Sequence, residues 1–231
     1  MDSYRALVIG ATGAVGSALV RELLASPRCA AVTTLARRRV AMFEGLPGQE
    51  KLQQVVFDMS RPEEIEREAA MVPGCDAAFC TLGVGQPRKM AKEEVWRIDV
   101  ESAAAFARGA HAAGARHVSL LSSAAATPQA SSFYLRLKGA AEEGVAAAGI
   151  ERTSFFRPSL LVTREIRYGL QDRLTQLLIP AVSWLLPSRF HEIRVEDLGR
   201  AMQINAEQPG RPGVEILHYA DFAALLAATG A

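Results

Sequence analysis

The chain has 231 residues, 49% of them apolar, with 26 Lys+Arg against 25 Asp+Glu and a formal net charge of +1. That length fits one domain over 1–231 with ample core. The near-neutral balance gives no global field toward nucleic acid or a membrane surface. Cys29, Cys75 and Cys80 are odd in number and lack C-x-x-C spacing, which argues against a disulfide framework or a zinc site and fits a reducing cytoplasm.

Asp2 and Arg5 lead into a strand rather than an apolar signal core, so no export signal is expected. Leu7, Val8 and Ile9 form a short apolar run, read as a buried strand. Gly10, Gly13 and Gly16 follow three residues apart, and Val15, Leu19, Leu23 and Leu24 then mark one stripe of a helix from Ala14 to Leu24. Strand, glycine turn and helix form the opening of a dinucleotide-binding βαβ unit, although G-x-x-G-x-x-G departs from the usual G-x-G-x-x-G. Gly10 permits the tight turn, Gly13 lets backbone approach a pyrophosphate, and Gly16 lets helix pack on strand. The helix amides then face the phosphates.

Residues 30–36 predict a second strand, ending in Arg37, Arg38 and Arg39. Residues 41–51 read as loop, and Gln53 to Phe57 as a third strand closed by Asp58. Arg61 to Ala70 predicts a short helix with Pro62 in its first turn. Asp76 to Thr81 is a fourth strand, followed by a loop holding Gly83, Gly85 and Pro87. One long helix is predicted from Ala91 to Ala113, then a fifth strand from His117 to Leu121. Ser131 or Ser132 is placed to cap a helix running to Ala148. Arg152 to Phe156 is a sixth strand. Val195 to Asn205 reads as helix, Val214 to Leu217 as strand and Tyr219 to Ala228 as helix. This alternation predicts an α/β fold, a doubly wound parallel sheet with helices on both faces. Residues 157–215 form a small C-terminal region on the substrate side. Within it, the apolar stretch from Leu177 to Leu186 is too short, and interrupted by Pro180, to span a membrane. It reads as a core or dimer-facing helix, with a wall over a substrate pocket as the sharper alternative.

Ligands of an open parallel sheet sit at the carboxyl ends of its strands. There the chain offers Gly10, Thr12 and Gly13; Arg37 and Arg38; Asp58; Leu82 and Gly83; and Ser122 and Ser123. An NAD site needs a carboxylate after the second strand to meet the ribose hydroxyls. This chain has Ala36 and then arginines, whose guanidinium groups suit a 2′-phosphate, so NADPH is preferred over NADH. Arg39 is assigned to the solvated turn. Tyr134 and Lys138 are four apart and share a helix face. An ammonium beside a phenol stabilises the phenolate, which makes the tyrosine a usable proton donor near neutral pH. Ser123, at a strand end, is placed to hold a substrate carbonyl. The four histidines show no paired spacing, so no metal is expected. Glu142 and Glu143 read as a solvated helix face, and Cys80 as a packing cysteine.

This constellation resembles the short-chain dehydrogenase/reductase superfamily in its extended or atypical branch. It is most similar to the oxidoreductases of the Tat-interacting-protein type. The likeness rests on Leu35-Ala-Arg-Arg38, Phe79-Cys-Thr-Leu-Gly83, Leu120-Leu-Ser-Ser123, Phe133-Tyr-Leu-Arg-Leu-Lys-Gly139 and Phe156-Arg-Pro158, with Arg194-Val-Glu-Asp-Leu198 further on. It implies an NAD(P)-binding Rossmann fold that takes NADP(H). Tyr134 is then the acid/base, Lys138 tunes it and holds the nicotinamide ribose, and Ser123 positions the carbonyl. Thr12, Gly13, Ala14 and Val15 cradle the diphosphate, while Arg37 and Arg38 take the 2′-phosphate. Leu82 and Gly83 line the nucleotide, Asp58 meets the adenine edge, and Leu161 and Arg167 close over the cofactor. One departure stands out. Where the superfamily commonly carries a relay asparagine, this chain has Asp99, in Arg97-Ile-Asp-Val100. A carboxylate cannot donate as an amide does unless it is protonated.

The resulting expectation is an NADPH-dependent oxidoreductase acting on a small apolar carbonyl substrate. The alternative is a non-catalytic protein that senses NADPH and signals through a protein partner. A homodimer stays open.

Overall fold

The computed structural model describes residues 3–84, 89–163 and 191–228. Gly85 and Pro87, Arg167 and the apolar stretch 177–186 lie outside the described residues.

Strand β1 (Tyr4–Ile9) is buried at every position except Arg5. Such a strand must be covered on both faces, as in parallel α/β sheets. Helix α1 (Ala14–Ala25) follows, then β2 (Cys29–Ala36), β3 (Leu52–Val56), α2 (Pro62–Ala70) and β4 (Ala77–Cys80). Next come α3 (Lys92–Trp96), a π-helical turn (Arg97–Glu101), α4 (Ser102–Ala112), β5 (His117–Leu121), α5 (Phe133–Ala146) and β6 (Arg152–Phe156). The chain continues through β7 (Leu160–Val162), β8 (Glu192–Arg194), α6 (Val195–Glu207), β9 (Gly213–Leu217) and α7 (Tyr219–Ala227).

Seven strands form one sheet in the order β3-β2-β1-β4-β5-β6-β9. Every pairing is parallel, with Ala6 opposite both Val32 and Ala77. This is a Rossmann α/β fold, a doubly wound parallel sheet as the sequence pattern implied. The period-two alternation of β1 splits the core between the two faces. Ala6 and Val8 join Leu19, Leu23, Leu198, Met202 and Phe222 on the side of α1, α6 and α7. Leu7 and Ile9 join Ile65, Phe106, Leu137 and Val145 on the side of α2, α4 and α5. Phe156 stacks on Phe222 with ring centroids 5.6 Å apart, fixing α7 beneath the sheet.

One expectation is refined and one is corrected. The single helix predicted from Ala91 to Ala113 runs without interruption from Lys92 to Ala112, but it contains a π-helical turn at Arg97–Glu101, a feature that a 3.6-residue hydrophobic period does not register. Glu142 does not lie on a solvated face. It is 5% exposed, and its carboxylate takes Arg157 Nε at 2.8 Å and Nη2 at 2.5 Å. Glu143 beside it is exposed. The short parallel pair β7 and β8 was not anticipated, because three residues per strand carry no period.

Candidate active site

The strand order reverses direction between β1 and β4, and a doubly wound sheet opens a crevice at that point. Here the crevice is a cleft of about 560 Å³. Gly10, Thr12 and Gly13 line one wall, Arg37 and Arg38 a second, and Leu82 and Gly83 a third. These seven strand-end residues therefore border one cleft. Ala11, Leu35, Ala36 and Thr81 also line the cleft, as does Met59, which no sequence signal marks.

Local packing explains the glycines. Gly10 has φ +83°, and a Cβ there would lie 2.5 Å from the Thr81 carbonyl carbon. A Cβ at Gly16 would overlap the Gly10 carbonyl oxygen. Both positions therefore exclude any side chain, so the turn, α1 and the end of β4 meet as bare backbone. Thr81 Oγ1 donates to the Ile9 carbonyl at 3.0 Å and ties the two strand ends together. Gly13 caps α1 with extended backbone and no side-chain hydrogen bond, and the first turn carries no acidic residue. Neither a capping side chain nor a carboxylate competes for the first-turn amides, which lack intrahelical partners by construction. Ala14, Val15 and Gly16 form that turn, with the Val15 side chain turned into the core at 3% exposure.

Arg37 and Arg38 are exposed at the mouth of the cleft, and Arg39, also exposed, is not among its lining residues. Asp58 is exposed and turned onto Ser60, accepting from its backbone N at 2.9 Å and its Oγ at 2.9 Å. Those bonds hold its carboxyl below the ordinary range. Leu161 lies on β7 and packs on the α1 side of the core.

The residues read as chemistry-bearing sit beyond the cleft, where β5 leads into α5. Ser123 follows β5, half-buried, with its Oγ 3.5 Å from the Ala124 carbonyl. The loop after it is strained, since Ala125 adopts φ +60°. Tyr134 stands in the first turn of α5 and is 41% exposed. Lys138, one turn on, is 7% exposed, with Nζ 5.9 Å from the centre of the Tyr134 ring. Lys138 Nζ also lies 3.1 Å from Asp99 Oδ2, and Asp99 Oδ1 accepts the Val84 amide at 2.8 Å. A Cβ on Gly83 would come 3.4 Å from Lys138 Nζ. The ion pair is therefore seated against the loop that forms one wall of the cleft. Burial disfavours the Lys138 ammonium, but Asp99 and then Tyr134 outweigh it, and its pKa stands above the lysine range. Cys80, fully buried on β4, is pushed up to about 11 by burial, so it stays a thiol.

A family model described as NAD(P)H-binding matches residues 10–176, from the glycine turn through Ser123, Tyr134 and Lys138. The chain belongs to the NAD(P)H-binding family. This NAD(P)H-binding protein is 30% identical over 221 residues to the protein HTATIP2 of Rattus norvegicus, covering 94% of the chain and 87% of that relative. It is 32% identical over 154 residues to the mitochondrial protein fmp52 of Aspergillus fumigatus, covering 67% of the chain and 65% of that protein. Among solved structures, vestitone reductase from alfalfa superposes with a TM-score of 0.66 at 21% identity, over 99% of this chain and 82% of that one. The Bordetella bronchiseptica enzyme WbmH, in complex with NAD+, gives 0.67 at 16% identity, over 99% and 82%. Likeness at those identities carries the fold alone, a Rossmann α/β fold. Among the described residues, no helix is long and apolar enough to cross a membrane, and no group of three or more His, Cys, Asp or Glu is gathered that could hold a metal ion.

Proposed function

We propose that the protein is an NADPH-dependent reductase of a small, apolar carbonyl compound. The observation that carries this reading is the buried Lys138, one helical turn from the exposed Tyr134 and seated against the wall of the dinucleotide cleft. The cleft residues fit the cofactor. The first-turn amides of α1 suit the diphosphate, and the bare backbone of Gly10 and Gly16 lets the turn and α1 pack directly onto the end of β4. Arg37 and Arg38 supply two cations where an NAD site would present a carboxylate, which favours a 2′-phosphate. The bound cofactor would supply the hydride that reduces the carbonyl carbon. Ser123 would donate a hydrogen bond to the carbonyl oxygen and orient it. Tyr134 would release its phenolic proton to that oxygen as negative charge develops there. Lys138 would stabilise the phenolate left behind and, from the cleft wall, hold the nicotinamide ribose. The exposure of Tyr134 gives a substrate direct access to its hydroxyl.

Replacing Tyr134 with Phe tests this. NADPH affinity is expected to hold within roughly twofold, while turnover falls by a factor on the order of a hundred or more, the usual share of a general acid. NADPH consumption is followed across a panel of aldehydes, ketones and quinones. Unchanged turnover in Tyr134→Phe would overturn the assigned role. Tight NADPH binding by the native protein with no consumption across the panel would favour a sensing protein instead.

A further inference from the structure

The roles above leave Asp99 unused, yet it is among the most buried carboxylates of the described chain, at 3% exposure. A buried carboxylate costs several kcal/mol unless it is paired and hydrogen-bonded. Here both oxygens are engaged, Oδ2 by Lys138 Nζ at 3.1 Å and Oδ1 by the Val84 amide at 2.8 Å. The residue sits in the π-helical turn, a feature that recurs at functional sites. One carboxylate thus grips the lysine of α5 and the loop after β4 together.

We propose that Asp99 is a positioning residue that acts through Lys138, keeping the lysine protonated and fixed at the cleft wall beside Tyr134. Its catalytic consequence rests on the reductase reading. An asparagine at this position would keep an acceptor for Val84 and lose the charge. The distinction matters because Lys138 is almost sealed from water. Besides Asp99, the titratable groups facing it are Tyr134 on its own helix and Cys80 on β4. Cys80 is held as a thiol and supplies no compensating charge, and Asp99 is the largest charge favouring the ammonium. Without the Asp99 carboxylate, burial would therefore drive the proton off the lysine.

The test follows Lys138 by NMR in protein carrying ¹³C-labelled lysine, with the resonance assigned from Lys138→Met. In Asp99→Asn the Lys138 titration is expected to move down by roughly one unit or more. Asp99→Glu, which restores the charge, should recover part of that shift. In NADPH turnover, Asp99→Asn should lower kcat roughly tenfold or more, move the basic limb of the pH profile to lower pH, and leave the KM for the carbonyl within about threefold. A merely structural aspartate would not move the pH profile. Identical Lys138 titrations in native protein and Asp99→Asn would overturn the proposal. So would a native Lys138 that titrates below the free-lysine value of about 10.4, a measurement that needs no variant to fold. A shifted lysine in a protein that consumes no NADPH would uphold the role of Asp99 toward Lys138 and reject the reductase. Turnover with an unmoved lysine would do the reverse.

Discussion

Replacing Glu142 with Leu is expected to destabilise the protein sharply, although the position is far along α5 from Tyr134. The Glu142 side chain is 7% exposed and that of Arg157 is 17% exposed. The two meet as a two-pronged pair, Nε to Oε1 and Nη2 to Oε2. This is the strong geometry for a guanidinium and a carboxylate. It also ties the helix bearing Tyr134 and Lys138 to the exit of β6, where Arg157 N donates to the Leu217 carbonyl at 2.9 Å. Removing one partner of a buried pair leaves the other charge uncompensated and costs about 3–5 kcal/mol. Because Arg157 keeps some contact with water, the low end applies, about 3 kcal/mol. At about 2–4 °C per kcal/mol for a chain of this size, the melting temperature should fall by roughly 6–12 °C. The double variant Glu142→Leu, Arg157→Met replaces both charges with apolar volume and should regain most of that loss. Thermal melts of the four proteins close a double-mutant cycle. A single variant melting within about 2 °C of the native protein, or a double variant showing the simple sum of both losses, would refute the reasoning.

The remaining expectations concern the cofactor and pH. Replacing Arg37 and Arg38 together with Ala should weaken NADPH roughly tenfold or more and leave NADH within about twofold. Titration calorimetry with both nucleotides checks this, and equal losses would overturn the 2′-phosphate assignment. His117, buried on β5 with Nε2 2.7 Å from Ser154 Oγ, is lowered to about 3 by burial and by Arg152. It is therefore neutral when folded and gains a proton more readily when unfolded, so its contribution is present above about pH 6.5 and lost as pH falls toward 3. From pH 6.5 to 5.5 that loss is about 1 kcal/mol. His117→Gln should lack this component in melts across the same interval, and an unchanged slope would reject it.

What the sequence reveals is set by how local the cause is. Gly10, Gly13 and Gly16 follow the apolar run Leu7-Val8-Ile9 directly, so strand, turn and helix are legible within the eighteen residues from Leu7 to Leu24. A parallel sheet then sends every strand end to one side, and Arg37, Arg38, Leu82 and Gly83 follow as neighbours without any long-range contact being known. Glu142 shows where this stops. A pair of glutamates on a helix reads as surface because their charge is visible in the sequence and the partner is not. Arg157 lies fifteen residues on, past the whole of β6. Asp99 and Lys138 are separated by α4, β5 and a loop, and the π-helical turn carrying the aspartate has no hydrophobic signature. The sequence did flag Asp99, but only as a carboxylate where the resemblance implied an amide. The structure places it beside Lys138, with Oδ2 3.1 Å from Nζ. An amide could satisfy Val84 equally well, but only a carboxylate can also compensate an ammonium that the fold has removed from water. The carboxylate and the burial of the lysine it pairs with lie on separate elements, and their meeting becomes visible only when α5 is laid against the loop after β4.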